Sequence, residues 1–281
     1  MMRKLAGMTA VITGASGGIG LHVARALAGE RMNLVLAART ADTLEAAAAE
    51  LAGTGIKTLA VPTDVSDHAA LGNLVERTLE QFGTIDVLVN NAGIETYSRY
   101  HELDVDDIVK TINVNLTATL VLSRLVLPHM LKAGRGHIVN MSSTAGKHGP
   151  PYGAAYGASK SAMIAFTESL RGEYHGTGIS ASAICPGFTH DGGIYERMKQ
   201  QIGRGTPVQM GATTAQAVAR AVIKALRKDL PEIIVNRPPL RPVMVLAEIS
   251  PRLGEWIVRR ATSRFLRRVA TSRARKSATE N

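Results

Sequence analysis

Along most of the chain, short blocks of apolar and β-branched residues alternate with longer stretches in which apolar positions recur every three or four residues. The short blocks, at 9–13, 33–38, 57–61, 87–90, 136–141, 179–184 and 232–235, read as strands. Several are continuously apolar, as in Leu34-Val35-Leu36-Ala37-Ala38, the pattern of a strand covered on both faces. The stretches at 19–29, 43–51, 69–82, 105–131, 154–175 and 214–228 read as helices, the last entered through Thr213-Thr214 as caps. Seven strands with helices between them predict an α/β fold, a doubly wound, seven-stranded parallel sheet.

A length of 281 residues with 45% hydrophobic side chains suits one such domain, placed at residues 1–236. From Arg237 onward, Pro238-Pro239 and Pro242 interrupt the alternation, and residues 237–281 read as a basic helical C-terminal extension. That extension holds 11 Lys and Arg against 3 Asp and Glu, a surplus of 8 out of the chain's net +10. The charge therefore belongs to the tail and not to the sheet domain.

Cys185 is the single cysteine, so no internal disulfide can form; it reads as a buried small hydrophobe. The first seven residues do not read as a secretory signal, and no run of about 18 apolar residues occurs. The expectation is a cytoplasmic protein. No metal-ligand pattern is evident.

Directly after the first strand comes Thr13-Gly14-Ala15-Ser16-Gly17-Gly18-Ile19-Gly20, running into a helix. Glycines at such a turn let the backbone approach a pyrophosphate, and the helix N-terminus offers free N–H groups. Gly14, Ser16, Gly18, Ile19 and Gly20 are therefore candidate cofactor contacts. The spacing departs from the common G-x-G-x-x-G. At the end of the second strand stand Ala37-Ala38-Arg39-Thr40, with no acid from Arg31 through Ala41. An acid there would receive ribose hydroxyls, whereas Arg39 suits a 2′-phosphate, so NADP(H) is favoured with NAD(H) as the alternative. Asp64 and Val65 after the third strand, and Asn91, Ala92 and Gly93 after the fourth, fall on the same carboxyl edge. Asp64 could equally cap a helix and Asn91 form a turn.

After the fifth strand the chain reads Asn140-Met141-Ser142-Ser143, and 13 residues beyond Ser143 comes Tyr156-Gly157-Ala158-Ser159-Lys160. A separation of four places Tyr156 and Lys160 on one helix face. A phenol is a poor acid–base catalyst at neutral pH unless a neighbouring cation stabilises its anion. With the glycine turn and Asn90-Asn91-Ala92-Gly93, this set resembles the short-chain dehydrogenase/reductase family over about residues 5–235.

That resemblance implies a Rossmann-like fold and an oxidoreductase that moves hydride between NAD(P) and a carbonyl or secondary alcohol. It implies Tyr156 as general acid/base and Ser143 as hydrogen-bond partner of the substrate oxygen. Lys160 would bind the nicotinamide ribose and lower the tyrosine pKa, and Asn115, in preference to Asn113, would hold a proton-relaying water. Pro186 and Gly187 would flank the nicotinamide. Where many relatives have threonine five residues after the proline this chain has Asp191, with Thr189 as the nearby candidate contact and His190 read as an exposed loop residue. A homo-oligomer is the family expectation. The competing reading is a catalytically silent dinucleotide-binding sensor or scaffold, against which Ser143, Tyr156 and Lys160 argue.

Specificity in the family resides in the loop after the sixth strand and in the C-terminus. Residues 188–207 mix Phe188, Ile194, Tyr195, Met198 and Ile202 with Arg197, Lys199 and Arg204, which suggests a partly apolar, lipid-, steroid- or ketone-like substrate. In the tail, Ile257, Ala261, Phe265 and Val269 recur every four residues beside Val258, with Arg252, Arg259, Arg260 and Arg267 largely opposite. Such a helix could lie on an anionic membrane, cap a lipid-like substrate site, or pack on its own domain or a sister subunit. Residues 271–281 are expected to be disordered. Sparse aromatic interleaving argues against nucleic acid.

Overall fold

A computed structural model of the chain describes all residues except Met1, Arg3, Gly192, Arg204, 206–210 and Asn281, and describes only the backbone of Gln201 and 273–280. Arg204 and Pro207 of the specificity loop thus lie outside the described residues. Nine strands follow one another as β1 (Thr9–Thr13), β2 (Asn33–Ala38), β3 (Thr58–Pro62), β4 (Val87–Asn90), β5 (Gly136–Met141), β6 (Ile179–Pro186), β7 (Thr189–His190), β8 (Thr213–Thr214) and β9 (Glu232–Val235). Seven of them form one parallel sheet in the order β3-β2-β1-β4-β5-β6-β9, and β7 and β8 form a small two-stranded ribbon that the sequence does not announce.

Chain order reverses between β1 and β4, where Val11 pairs with Val35 on one side and with Leu88 on the other. In an open α/β sheet this is where ligands bind, beyond the carboxyl ends of the strands. Helices α1 (Gly18–Gly29), α2 (Ala41–Ala52), α3 (His68–Phe82), α4 (Val105–Ile112), α5 (Ala118–Ala133), α6 (Ala154–Glu173), α7 (Ile194–Ile202), α8 (Ala215–Lys228), α9 (Arg241–Ile249) and α10 (Pro251–Glu280) complete the chain. Thr214 caps α8 as read from sequence, its hydroxyl accepting from the Ala217 N–H at 3.1 Å.

Both faces of the sheet are covered, which explains the unbroken apolar runs. On one face Ile12, Leu34 and Leu36 pack with Val23 and Leu27 of α1 and Val222 and Leu226 of α8. On the other, Val11, Val35 and Leu88 pack with Leu71 and Leu74 of α3 and Leu122 and Val126 of α5. Each such side chain, once buried, contributes about 1.5–3 kcal/mol.

Three departures from the sequence reading bear on function. The expected helix at 105–131 is interrupted by a π turn at Asn113–Thr117, which holds Asn115. The combined run Val105–Ala133 is long and apolar enough to cross a bilayer, yet Leu122, Val126 and Met130 are fully buried against the sheet, the place of a core helix. At the other end, α10 continues to Glu280, past Thr271 where disorder was expected, and α9 precedes it.

Candidate active site

The glycine turn meets the end of β4 through a tight set of bonds. The Asn91 amide donates to the carbonyl oxygens of Thr13 at 2.9 Å and Gly14 at 3.2 Å. The Thr13 hydroxyl accepts from the N–H groups of Asn91 and Ala92, both at 3.0 Å, a role that the sequence reading missed. Gly14 and Gly18 sit at φ +64° and +51°, the left-handed region that favours glycine. A Cβ on Gly20 would collide with the Gly14 carbonyl oxygen, so Gly20 serves the approach of α1 to the turn and is not itself on the cavity wall. Gly17 precedes α1 with no side-chain cap, leaving the helix's first N–H groups facing open space beside Ser16, Gly18 and Ile19. An uncapped helix N-terminus and a turn with glycine at 14, 17 and 18 fit a dinucleotide pyrophosphate.

Beyond β5, Ser143 and Tyr156 face one another across the start of α6. Lys160 reaches back so that its ammonium donates to the Met141 carbonyl at 2.8 Å, 5.9 Å from the Tyr156 ring centre. Tyr156 and Lys160 are 8% and 3% exposed, and burial dominates both groups. Burial raises the Tyr156 phenol to about 12, against the downward pull of its hydrogen bond with Ser143. It lowers the Lys160 ammonium to about 8. In the protein by itself, therefore, desolvation outweighs any help the lysine gives the phenol.

Asn115 lies behind this pair, fully buried. Its amide donates to the Ile94 carbonyl at 2.9 Å and to the Ser159 hydroxyl at 3.0 Å, while its oxygen accepts from the Ile94 N–H at 2.8 Å. The side chain is thus occupied in fixing the loop after β4 to α6. A Cβ on Gly93 would come within 3.2 Å of Asn115 Oδ1 and 3.3 Å of Lys160 Nζ, so glycine keeps this corner open.

The glycine turn, Asn91, Gly93, Ser143, Tyr156 and Lys160 line one cavity of about 590 Å³, together with Ala92, Pro186, Gly187 and Thr189, and Asn115 stands behind its wall. Thr189 donates to the Gly187 carbonyl at 3.0 Å, and Asn236 packs tightly against Gly187. Arg39 and Asp64 stand apart from the cavity, at the ends of β2 and β3. Asp64 accepts from the Ser66 N–H and hydroxyl at 2.9 and 2.7 Å; these bonds first, and Arg39's charge after them, lower its pKa. The cap of α3 is Asp67, so Asp64 forms a turn and does not cap the helix. Val65 is buried among Leu71 and Leu74 and offers at most its backbone to a ligand. His190 is away from the cavity, 3.6 Å from Glu196 and packed edge-on to Tyr195. Cys185 is fully buried, its thiol raised to about 12 by burial.

The tail completes the site. Phe265, Leu266 and Val269 join Tyr97, Tyr156, Tyr195 and Met198 in one buried cluster, with Ile257 and Leu266 among the cavity walls. The apolar stripe at 257, 261, 265 and 269 therefore faces the protein and roofs the cavity, so it is not the face that could meet a membrane. Sequence reading gave that stripe but could not choose its partner.

A glycine turn with an uncapped helix N-terminus at the switch point of a doubly wound sheet, opening into a cavity that also holds Ser143, Tyr156 and Lys160, is an arrangement suited to a dinucleotide-dependent oxidoreductase. Comparison with known proteins agrees. The short chain dehydrogenase family model matches residues 8–202, and this chain belongs to the short-chain dehydrogenase/reductase family. The ketoacyl reductase HetN of Nostoc sp. is 36% identical over 263 residues, covering 92% of this chain and 90% of that protein. Oxidoreductase UcpA of Salmonella typhimurium is 42% identical over 188 residues, covering 66% and 71%. Among solved structures, a short-chain dehydrogenase/reductase from Burkholderia phymatum in complex with NAD superposes with a TM-score of 0.79 at 28% identity, covering 89% of this chain and 96% of that one.

Proposed function

We propose that this protein is an NADP(H)-preferring reductase or dehydrogenase acting on the carbonyl or secondary alcohol of an apolar substrate. The observation that carries this reading is one continuous cavity joining the glycine turn, the Ser143–Tyr156–Lys160 group and an apolar roof. The glycine turn and Lys160 would hold a nicotinamide dinucleotide, which would supply or accept a hydride at the substrate carbon. In the reductive direction the Tyr156 phenol gives its proton to the substrate oxygen, while the Ser143 hydroxyl donates a hydrogen bond that holds that oxygen in place. Lys160, its ammonium fixed by the Met141 carbonyl 5.9 Å from the Tyr156 ring centre, would hold the nicotinamide ribose. Asn115 holds Ile94 and Ser159 in register behind it.

Support for NADP(H) comes from Arg39, which is exposed at the end of β2 and forms an ion pair with no described residue, leaving its guanidinium for a 2′-phosphate. Support for an apolar substrate comes from Phe188, Tyr195, Met198, Met244, Ile257 and Leu266 on the outer cavity wall. The experiment is NADPH consumption over ketones and aldehydes of increasing chain length. Turnover that rises with apolar length and vanishes in Tyr156→Phe supports the reading; no turnover of any apolar carbonyl overturns it.

A further inference from the structure

The outer face of the α9–α10 hairpin differs from the inner one. Met244 and Ala247 turn inward onto the cavity, whereas Val245, Leu246 and Ile249 turn outward at 53%, 46% and 77% exposure. Ile249 ends α9, and Trp256, 50% exposed, stands early in α10, so the two flank the Ser250–Pro251 corner. The same two helices carry exposed arginines at 241, 252, 259, 260 and 264, continuing to 267 and 268. Arg260 lies over the Trp256 ring at 5.7 Å. The described acids of the hairpin are Glu248 and Glu255, the latter 4.0 Å from Arg259.

We infer that this corner docks the protein on an anionic lipid bilayer, with Val245, Leu246, Ile249 and Trp256 entering the headgroup boundary and the arginines engaging lipid phosphates. The cavity under the same two helices then receives its apolar substrate from the membrane. This rests on the reading of the cavity given under Proposed function. Exposed apolar side chains and arginines on the same two helices, with an amphipathic tryptophan among them, match the chemistry of a bilayer interface. A second copy fits less well, because a two-fold contact would bring the same arginine-rich face against itself. A free phosphate would satisfy the arginines and leave the apolar residues in water.

Sedimentation of the full chain with vesicles tests this, using phosphatidylcholine alone and with about one-third phosphatidylglycerol, at low and high salt. The parent is expected to bind the anionic vesicles, less so as salt rises. Ile249→Asp, and separately Arg259→Glu with Arg260→Glu, should weaken binding roughly tenfold or more, each basic side chain near the surface being worth about 1 kcal/mol. None of the three lines the main cavity, so turnover of a water-soluble ketone should stay at the parent level in both variants, while turnover of a vesicle-borne ketone falls. Equal sedimentation of parent and variants, no sedimentation of the parent, or binding indifferent to anionic lipid overturns the inference. So does a vesicle-free dimer, seen by light scattering, that Ile249→Asp dissociates. Intact vesicle binding without nicotinamide-dependent turnover supports the docking surface and sinks the proposed reaction instead.

Discussion

The Lys160 ammonium donates to the backbone carbonyl of Met141, the last residue of β5, at 2.8 Å. One bond thereby ties the register of α6 to the end of the strand that also delivers Ser143. Ser142 adds a second tie, its hydroxyl donating to the Lys160 carbonyl at 2.7 Å. A Cβ on Gly146 would lie 2.6 Å from that same carbonyl, so the helix can approach this closely only against glycine. The Tyr156–Lys160 pair is thus positioned by packing between elements and not by the helix alone.

Replacing Tyr156 by Phe removes the proposed proton donor and leaves the ring's packing with Tyr97, 5.9 Å away between centres, in place. Turnover should fall by about 10²–10⁴, the usual worth of a positioned acid–base group. Cofactor affinity, followed by calorimetry, should change little. Loss of cofactor binding in the variant would mean that the ring, and not the hydroxyl, was essential.

Lys160 carries a stability cost that can be measured. Its ammonium is lowered from 10.5 to about 8 by burial, so the folded cofactor-free protein resists holding that proton. The shift corresponds to about 3 kcal/mol at most, present below pH 8 and relieved as pH rises from there toward the unfolded value, where the unfolded chain binds more protons than the folded one. Lys160→Met should therefore raise the Tm of the cofactor-free protein by a few degrees at pH 7 and abolish turnover. The gap between variant and parent should narrow above pH 8. A variant less stable than the parent at pH 7 would show that the bond to Met141 outweighs the desolvation.

Much of this arrangement was legible in the sequence, for reasons specific to its parts. All seven strands of the main sheet were readable, the central ones because burial on both faces makes them largely apolar, with β3 displaced by a single residue and β6 running two residues further, to Pro186. The glycine turn, Ser143 and the Tyr156–Lys160 spacing were readable because close backbone approach and helix periodicity each leave a mark. The π turn at Asn113–Thr117 was not, since one extra residue in a helical ring does not alter an apolar pattern of this length. The Thr13 bonds to Asn91 and Ala92 join residues far apart in the chain, and no local signal reports them. The direction of the 257–269 stripe likewise depended on which surface would be free to receive it.

Arg39 offers a test of cofactor choice. Arg39→Ala should weaken NADPH binding roughly tenfold or more, the loss of a charge-assisted contact to phosphate, and leave NADH within a small factor of the parent. Arg39→Asp should go further and favour NADH, by placing an acceptor where the ribose hydroxyls lie. Equal losses for both cofactors in the alanine variant would remove the 2′-phosphate assignment. Dissociation constants for the two reduced cofactors, measured side by side, decide it.

The roof depends on a close approach between α9 and α10 at Gly254. A Cβ there would lie 2.7 Å from the Ala247 Cβ and 3.1 Å from the Ala247 carbonyl oxygen, too near for either helix to remain where it is. Gly254→Val should accordingly push the two helices apart at a cost of about 1–3 kcal/mol. Met244 and Ala247 on one helix and Ile257 and Leu266 on the other would then no longer close over the cavity. Ser143 follows β5 and Tyr156 and Lys160 stand on α6, outside the Gly254–Ala247 contact. KM for a long apolar ketone should therefore rise several-fold while kcat for a short soluble ketone and the Kd for NADPH hold at parent values. Parallel loss of all three would mean that the hairpin supports the whole domain and not the substrate roof alone.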